Sequence, residues 1–146
     1  MDKIKTVSET LPGDPVEAYN NPEFMASVEA RPLRILAEYM HPKKQFERHD
    51  IDDTILFFGS ARIKSREDAQ SALDIARSTS ADVKAAERAL AMSRYYEEAR
   101  ELARRLTEWS LNLEDCQGRR FVICTGAGPG IMEAANRGAR EAGGET

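Results

Sequence analysis

The sequence predicts an α/β protein in which helices pack on a small parallel sheet. Residues 54–58 are an apolar run and residues 120–124 are largely apolar, and both contain β-branched and aromatic side chains, as expected for strands buried on both faces. Each run is followed by a turn of small residues and then by a helix-forming segment. The order strand, helix, strand, helix is typical of parallel strands joined by a right-handed crossover.

The chain length limits how much of such a fold is present. A chain of 146 residues suffices for one domain with a helical extension. Two strands are too few for a stable sheet. We therefore expect residues 51–146 to be the front half of a larger doubly wound domain, or to complete their sheet with another chain. Residues 1–50 are expected to form a lead-in and short helices ahead of that domain.

The first 50 residues carry two helix starts. Residues 1–20 are polar and are expected to be a poorly ordered lead-in. Asn21 is a candidate N-cap before the next residue, a proline. A second helix is expected to start at residues 31–32 and to stop at Pro42, with residues 43–53 as a charged connector. The predicted apolar stripe of this second helix consists of Leu33, Leu36, Ala37 and Met40.

Residues 65–111 are almost wholly helix-forming, with a predicted break at residues 78–80. Ser80 is the expected cap of the helix after the break. The predicted inner face of the later part consists of Tyr95, Ala99, Leu102, Leu106 and Trp109. The charges around that face are expected to be solvated and to form pairs four residues apart, such as Glu101 with Arg105. A last helix is expected over residues 131–141, ended by two glycines.

Composition and charge exclude several classes of function. The chain has 21 basic and 25 acidic residues and a formal charge of −4, which argues against a nucleic-acid surface. It contains no apolar stretch of about 20 residues and no secretory signal, so we expect a cytoplasmic protein without a membrane partner. Cys116 and Cys124 do not make a disulfide framework. His41 and His49 are not part of a ligand cluster, so no metal and no cofactor are expected.

The turn after the second strand, residues 125–130, is the stronger candidate for chemistry. Parallel α/β sheets bind ligands at the carboxyl ends of their strands. A helix N-terminus offers unpaired N–H groups and a partial positive charge, and glycines let the backbone approach a phosphate. The residues expected to bind one phosphate are Thr125, Gly126, Ala127, Gly128, Gly130, Ile131 and Met132. The alternative is a purely structural turn from strand to helix.

The turn after the first strand is the second candidate, and it comprises Gly59, Ser60, Ala61 and Arg62. Ser60 either bonds a phosphate or caps a turn, and Arg62 pairs either with a bound anion or with a surface carboxylate. Glu133, in the first turn of the last helix, either caps that helix or lines the same cleft together with Asn136. Two such turns on neighbouring strands would face one ligand from two sides.

These segments resemble a known family. The sequences FFGSAR (57–62) and CTGAGPGIMEAANRGAREAGG (124–144) are similar to motifs of the LOG ("lonely guy") family, in its longer bacterial branch. YYEEARELARRLTEW (95–109) and ARPLRILAEY (30–39) resemble the same family. Ala127 stands where the family more commonly has glycine. The resemblance covers roughly residues 30–146 and implies a Rossmann-like nucleotide-binding fold.

The resemblance also implies a function. Members of the family bind adenosine 5′-monophosphate (AMP) or an N6-substituted relative, and many hydrolyse the N-glycosidic bond to release the base and ribose 5-phosphate. They form dimers or larger assemblies. By this resemblance the nucleotide site is lined by Gly59, Ser60, Gly126, Gly128, Gly130 and Met132.

One departure from the family bears on catalysis. Its catalytic motif, P-G-G-x-G-T-x-x-E, and the arginine upstream of that motif do not occur in this sequence. We therefore assign no catalytic residue and expect hydrolysis only in a complete protein that contains the motif. Two alternatives remain open. One is a nucleotide-binding or sensing module without catalysis, and the other is an assembly part whose helices, within residues 22–110, form an oligomer interface.

Overall fold

The computed structural model describes residues 16–79, 81–113 and 118–146. The chain divides into two compact units between His49 and Asp50. The expected lead-in falls mostly on residues 1–15, which lie outside the described residues, whereas Ala18–Asn20 forms a short 3₁₀ helix. In the described part of the chain, no helix has both the length and the apolar character that crossing a bilayer requires.

The first unit contains helices α1 (Pro22–Ala26) and α2 (Arg31–Arg48). The side-chain oxygen of Asn21 accepts hydrogen bonds of 3.1 and 3.2 Å from two backbone N–H groups in the first turn of α1. The predicted N-cap is therefore confirmed. The guanidinium of Arg34 donates 2.7 Å hydrogen bonds to the carbonyl oxygens of Met25 and Ser27, so this side chain links α2 to α1.

Helix α2 continues through Pro42 to Arg48, so the predicted stop at Pro42 was wrong. A proline inside a helix removes one hydrogen bond and crowds the preceding turn, and both effects are confined to that turn. The residues after it are good helix formers, and Lys44 and Glu47 add an ion pair at 3.4 Å. The side chains of the predicted apolar stripe are exposed within the described part of this unit, namely those of Leu33, Leu36, Ala37 and Met40.

The described residues of the second unit form, in chain order, β1 (Thr54–Phe57), α3 (Arg66–Thr79), α4 (Val83–Met92), α5 (Arg94–Leu111), β2 (Val122–Thr125) and α6 (Ile131–Glu141). Helix α3 ends at Thr79, as the predicted break requires. The predicted cap Ser80 lies outside the described residues. The side chain of Asp82 caps α4 by accepting a 3.0 Å hydrogen bond from the Ala85 N–H.

Strands β1 and β2 are hydrogen-bonded neighbours and run parallel. Thr54 lies opposite Val122, and Phe57 lies opposite Thr125, so both strands end at the same level of the sheet. This confirms the α/β class with a parallel pair of strands and helices packed on it. The larger doubly wound domain and the Rossmann-like topology stay predictions.

Only one face of this strand pair is covered by the described residues. Ile55 and Phe57 pack with Ile123 against α5 and α6. On the opposite face Leu56 is 53% exposed and Phe58 is 76% exposed. The prediction that residues 54–58 are buried on both faces was therefore wrong for the described part of the chain, because both packed helices lie on the same side.

Helices α5 and α6 are parallel and pack backbone against backbone. The contact is made by small residues, since Ala103 of α5 lies in one buried cluster with Ala135 and Ala139 of α6. A Cβ atom added to Gly138 would overlap the carbonyl oxygen of Arg100 and lie 2.8 Å from its carbonyl carbon. This close approach sets the distance between the two helices.

The buried face of α5 differs from the predicted one. Its buried residues are Tyr96, Ala103 and Thr107, whereas three of the side chains predicted to be internal are exposed, namely Tyr95, Leu102 and Trp109. The small Ala103 is selected for burial because the backbone of α6 lies against it. The predicted ion pair of Glu101 with Arg105 is confirmed at 2.7 Å on the outer face.

Candidate functional site

The loops that follow β1 and β2 contact each other at the carboxyl edge of the sheet. The backbone N–H of Ile131 donates a 3.2 Å hydrogen bond to the carbonyl oxygen of Ser60. A Cβ atom added to Gly59 would lie 2.5 and 2.7 Å from two side-chain carbons of Ile131. The in-register ends of the strands place these loops side by side, as the sequence predicted.

Gly130, in the second loop, packs against the backbone of the first loop. Its φ is +75°, and a Cβ atom there would lie 3.0 Å from two backbone carbons of Ala61. A side chain at Gly59 or at Gly130 would therefore force the two loops apart. The packing of the two loops thus accounts for glycine at these two positions, whereas the sequence had suggested the approach of a phosphate.

Two hydroxyl groups stabilise the loops by accepting hydrogen bonds from backbone N–H groups within the same loop. The Ser60 hydroxyl oxygen accepts a 3.2 Å hydrogen bond from the N–H of Arg62, and the Thr125 hydroxyl oxygen accepts a 3.0 Å hydrogen bond from the N–H of Ala127. Asn136 of α6 donates a 3.0 Å hydrogen bond to the same Thr125 oxygen. Of the two roles that the sequence left open for Ser60, the structure shows the turn-capping one.

The N-terminus of α6 keeps several free donors. The N–H of Ile131, which the sequence assigned to a phosphate, donates to Ser60 instead. The backbone N–H groups that donate to no acceptor in the described residues include those of Gly128, Met132 and Glu133. Unpaired N–H groups and the helix dipole together favour an anion at this position.

Side chains around these donors set the charge of the site. Arg62 is exposed and forms no ion pair with any of the described residues. Glu133 forms an ion pair of 2.6 Å with Arg137 one turn further along α6. The thioether of Met132 lies over the glycine turn, since a Cβ atom on Gly126 would be 3.5 Å from its sulfur. The site is therefore open to solvent, and the first of its two loops carries Arg62, which has no ion pair among the described residues.

Tyr96 is a residue that the sequence gave no reason to single out. It is 1% exposed, and its hydroxyl forms no hydrogen bond with the described residues. Burial raises the pKa of this hydroxyl, and the neighbouring Glu133 carboxylate raises it further, whereas Arg137 and Arg100 act in the opposite direction. Its position was missed because the predicted inner face of α5 placed Tyr95 inside.

Ala127 adopts the left-handed backbone conformation, with φ +55°. This conformation costs a residue with a Cβ atom about 1–2 kcal/mol, whereas the extra chain entropy of glycine costs about 0.5–1 kcal/mol. We therefore expect Ala127→Gly to raise the free energy of unfolding by up to about 1 kcal/mol, measured by denaturant unfolding. The control is Ala61→Gly in the facing loop, where φ is negative and the same change should lower stability. A loss of stability in both variants would contradict the interpretation.

A separate cavity of about 370 Å³ lies at the opposite end of β2. Its lining includes Thr107, Phe121 and Gly144. Because parallel sheets bind ligands beyond the carboxyl ends of their strands, we place the candidate site at the two loops instead. No group of three or more metal-binding side chains is present among the described residues.

Comparison with known proteins adds no assignment. No protein-family model, no curated protein and no solved structure matches this chain. The family resemblance of residues 30–146 therefore stays a prediction, and the geometry of the two loops is the structural basis for a function.

Proposed function

We propose that this chain binds a nucleoside 5′-monophosphate, AMP or an N6-substituted relative, at the two contacting loops. The observation that supports this most is the contact itself, because it holds the free N–H groups of α6 against the loop that carries Arg62. Both loops follow parallel strands that end at the same level, which is where open α/β sheets bind their ligands. The choice of adenine as the base follows from the resemblance to the LOG family.

The number of donors matches a single phosphate. A phosphate monoester carries about −1.5 to −2 charges near neutral pH and offers three terminal oxygens. The N–H groups of Gly128, Met132 and Glu133, with the guanidinium of Arg62, supply four donor groups. They include a single cationic side chain, which favours a monophosphate over a polyphosphate.

Isothermal titration calorimetry tests the proposal directly. The 146-residue chain should bind AMP, and adenosine without its phosphate should bind at least about tenfold more weakly, because charged hydrogen bonds contribute about 1.5–3 kcal/mol. Equal affinities for the two would contradict the phosphate site, and an absence of any binding to AMP would contradict the proposal as a whole.

Arg62→Gln should weaken AMP binding by up to about fivefold, because an exposed ion pair contributes up to about 1 kcal/mol. The loss should shrink as salt is raised, because salt screens exposed charges. The matched control is Arg140→Gln, which removes an exposed arginine from the far end of α6. Both variants are compared by calorimetry at two salt concentrations. An equal loss of affinity in the two variants would indicate a general charge effect and would count against a role for Arg62.

We further propose that a complete protein containing this segment hydrolyses the N-glycosidic bond of the bound nucleotide. In that reaction the bond between C1′ and the base breaks, water adds at C1′, and the base leaves with a proton. The ring passes through a state with positive charge near C1′, which a carboxylate stabilises. That carboxylate belongs to the P-G-G-x-G-T-x-x-E motif of the resembled family and would come from residues outside this sequence.

A binding module without catalysis is the second candidate, and the end of α6 favours it for the residues present. Gly143 has φ +79°, its N–H bonds the carbonyl oxygen of Arg140, and the N–H of Gly144 bonds that of Ala139. This pair of glycines therefore closes the helix, and it is not the start of a catalytic motif. Adenine released from AMP by the 146-residue chain alone would contradict this second candidate.

A further inference from the structure

We propose that Glu133 binds the ribose hydroxyls of the nucleotide and that the buried hydroxyl of Tyr96 holds the Glu133 carboxylate in place. This inference rests on the proposed function, because it concerns the same site. It rests on two independent observations, which are the position of Glu133 on α6 and the unpaired hydroxyl behind it.

Glu133 is the third residue of α6, and its own N–H is one of the free donors. A phosphate bound to this N–H would bring the attached ribose toward the side chain of the same residue. The two adjacent ribose hydroxyls each need an acceptor for their protons, and backbone N–H groups cannot act as acceptors. A carboxylate accepts both hydrogen bonds at once, so Glu133 supplies what the free amides lack.

Tyr96 provides the second observation. Its hydroxyl is buried and has no hydrogen-bond partner among the described residues. It interacts with the Glu133 carboxylate, which adds to the effect of burial in raising the pKa of the hydroxyl. Buried hydroxyl groups in proteins almost always have a hydrogen-bond partner, so an unpaired one marks a position where a partner is expected. The acidic group that interacts with this hydroxyl is the Glu133 carboxylate, which Arg137 already contacts at 2.6 Å.

The two contacts together would fix the carboxylate. Arg137 donates to one side of Glu133 along α6, and the Tyr96 hydroxyl would donate from α5. The positive charge of Arg137 also offsets the repulsion between the carboxylate and the phosphate of the ligand. Tyr96 is thus a positioning residue, and Glu133 is the residue that contacts the ribose.

The experiment compares AMP with 2′,3′-dideoxyadenosine 5′-monophosphate, which keeps the phosphate and the base but lacks both hydroxyls. The wild-type chain should prefer AMP by about tenfold in calorimetry. Glu133→Gln should abolish most of this preference while leaving the affinity for the dideoxy compound unchanged or higher. A preference for AMP that persists in Glu133→Gln would overturn the inference and leave the proposed function intact. A wild-type chain that binds neither compound would overturn both.

The variant Tyr96→Phe distinguishes a role of Tyr96 in positioning Glu133 from a role in the stability of the fold. The variant removes only a hydroxyl that is unpaired in the free protein, so its thermal midpoint should not fall. Its preference for AMP over the dideoxy compound should nevertheless drop several-fold. The matched control is Tyr95→Phe, the exposed neighbour on α5, for which the preference should equal that of the wild type. An unchanged preference in Tyr96→Phe would overturn the positioning role.

Discussion

Replacing Gly138 by alanine is expected to lower the free energy of unfolding by about 3 kcal/mol, at the upper end for overpacked interiors. The added Cβ atom would overlap the carbonyl oxygen of Arg100 and lie 3.0 Å from the backbone nitrogen of Arg104. Uncrowded carbon contacts lie at about 3.5–4.0 Å. Because the crowded atoms belong to the backbone of α5, no side-chain rotation relieves the overlap, and the helices must move apart.

The sign of this effect separates tertiary packing from helix propensity. Alanine in place of glycine normally stabilises a helix by about 1 kcal/mol, so propensity alone predicts a gain. For a unit of this size, a loss of 3 kcal/mol corresponds to a fall in thermal midpoint of roughly 12–24 °C, measured by circular dichroism. Arg140→Ala on the exposed side of α6 is the control and should change stability by less than about 0.5 kcal/mol. A Gly138→Ala variant as stable as the wild type would refute the packing between α5 and α6.

Gly130→Ala is expected to weaken AMP binding at least about tenfold and to cost about 2–3 kcal/mol of stability. The left-handed backbone at φ +75° disfavours any Cβ atom, and this one would also meet the backbone of Ser60 and Ala61. The first loop must then separate from α6, and the hydrogen bond from Ile131 to Ser60 is lost. The loop that carries Arg62 would move away from the free N–H groups, so the phosphate would lose donors from one side.

Gly143→Ala is the matched control for Gly130→Ala. Its φ of +79° is nearly the same, but a Cβ atom there has nothing within 4 Å. We expect this variant to lose about 1 kcal/mol of stability from backbone strain and to bind AMP as the wild type does. Denaturant unfolding and calorimetry measure both quantities. A folded Gly130→Ala variant with wild-type affinity would show that contact between the loops is unnecessary for binding.

Features that depend on neighbouring residues were predictable from the sequence. The Asn21 cap, the start of α6 and the glycines that end it were all expected, and all three are present. Each is decided by hydrogen bonds between residues no more than five positions apart, so the chemistry is complete within the motif. The position of the two loops was also predictable, because consecutive parallel strands end at the same edge of a sheet.

Features that depend on what packs against a surface were not predictable. The apolar composition of residues 54–58 indicated burial on both faces, yet Leu56 and Phe58 are exposed because both packed helices lie on one side. The spacing along α5 indicated a face that includes Tyr95, yet Tyr96 is the buried tyrosine. An apolar pattern indicates that burial of a side chain would be energetically favourable, but it does not indicate which element of the fold packs against that side chain.

The sequence by itself determined the order of the elements, the parallel pairing of the strands and the place of the glycine turns, since these follow from local hydrogen bonding and residue periodicity. Only the tertiary structure decided what the glycines do and which donors stay free. Gly59 and Gly130 serve contact between the loops, and the N–H of Ile131 is used within the protein. The physical reason is that the sequence shows where a glycine or a backbone N–H is, but not which atoms pack against it. Those atoms decide whether the position contacts protein or is available to a ligand.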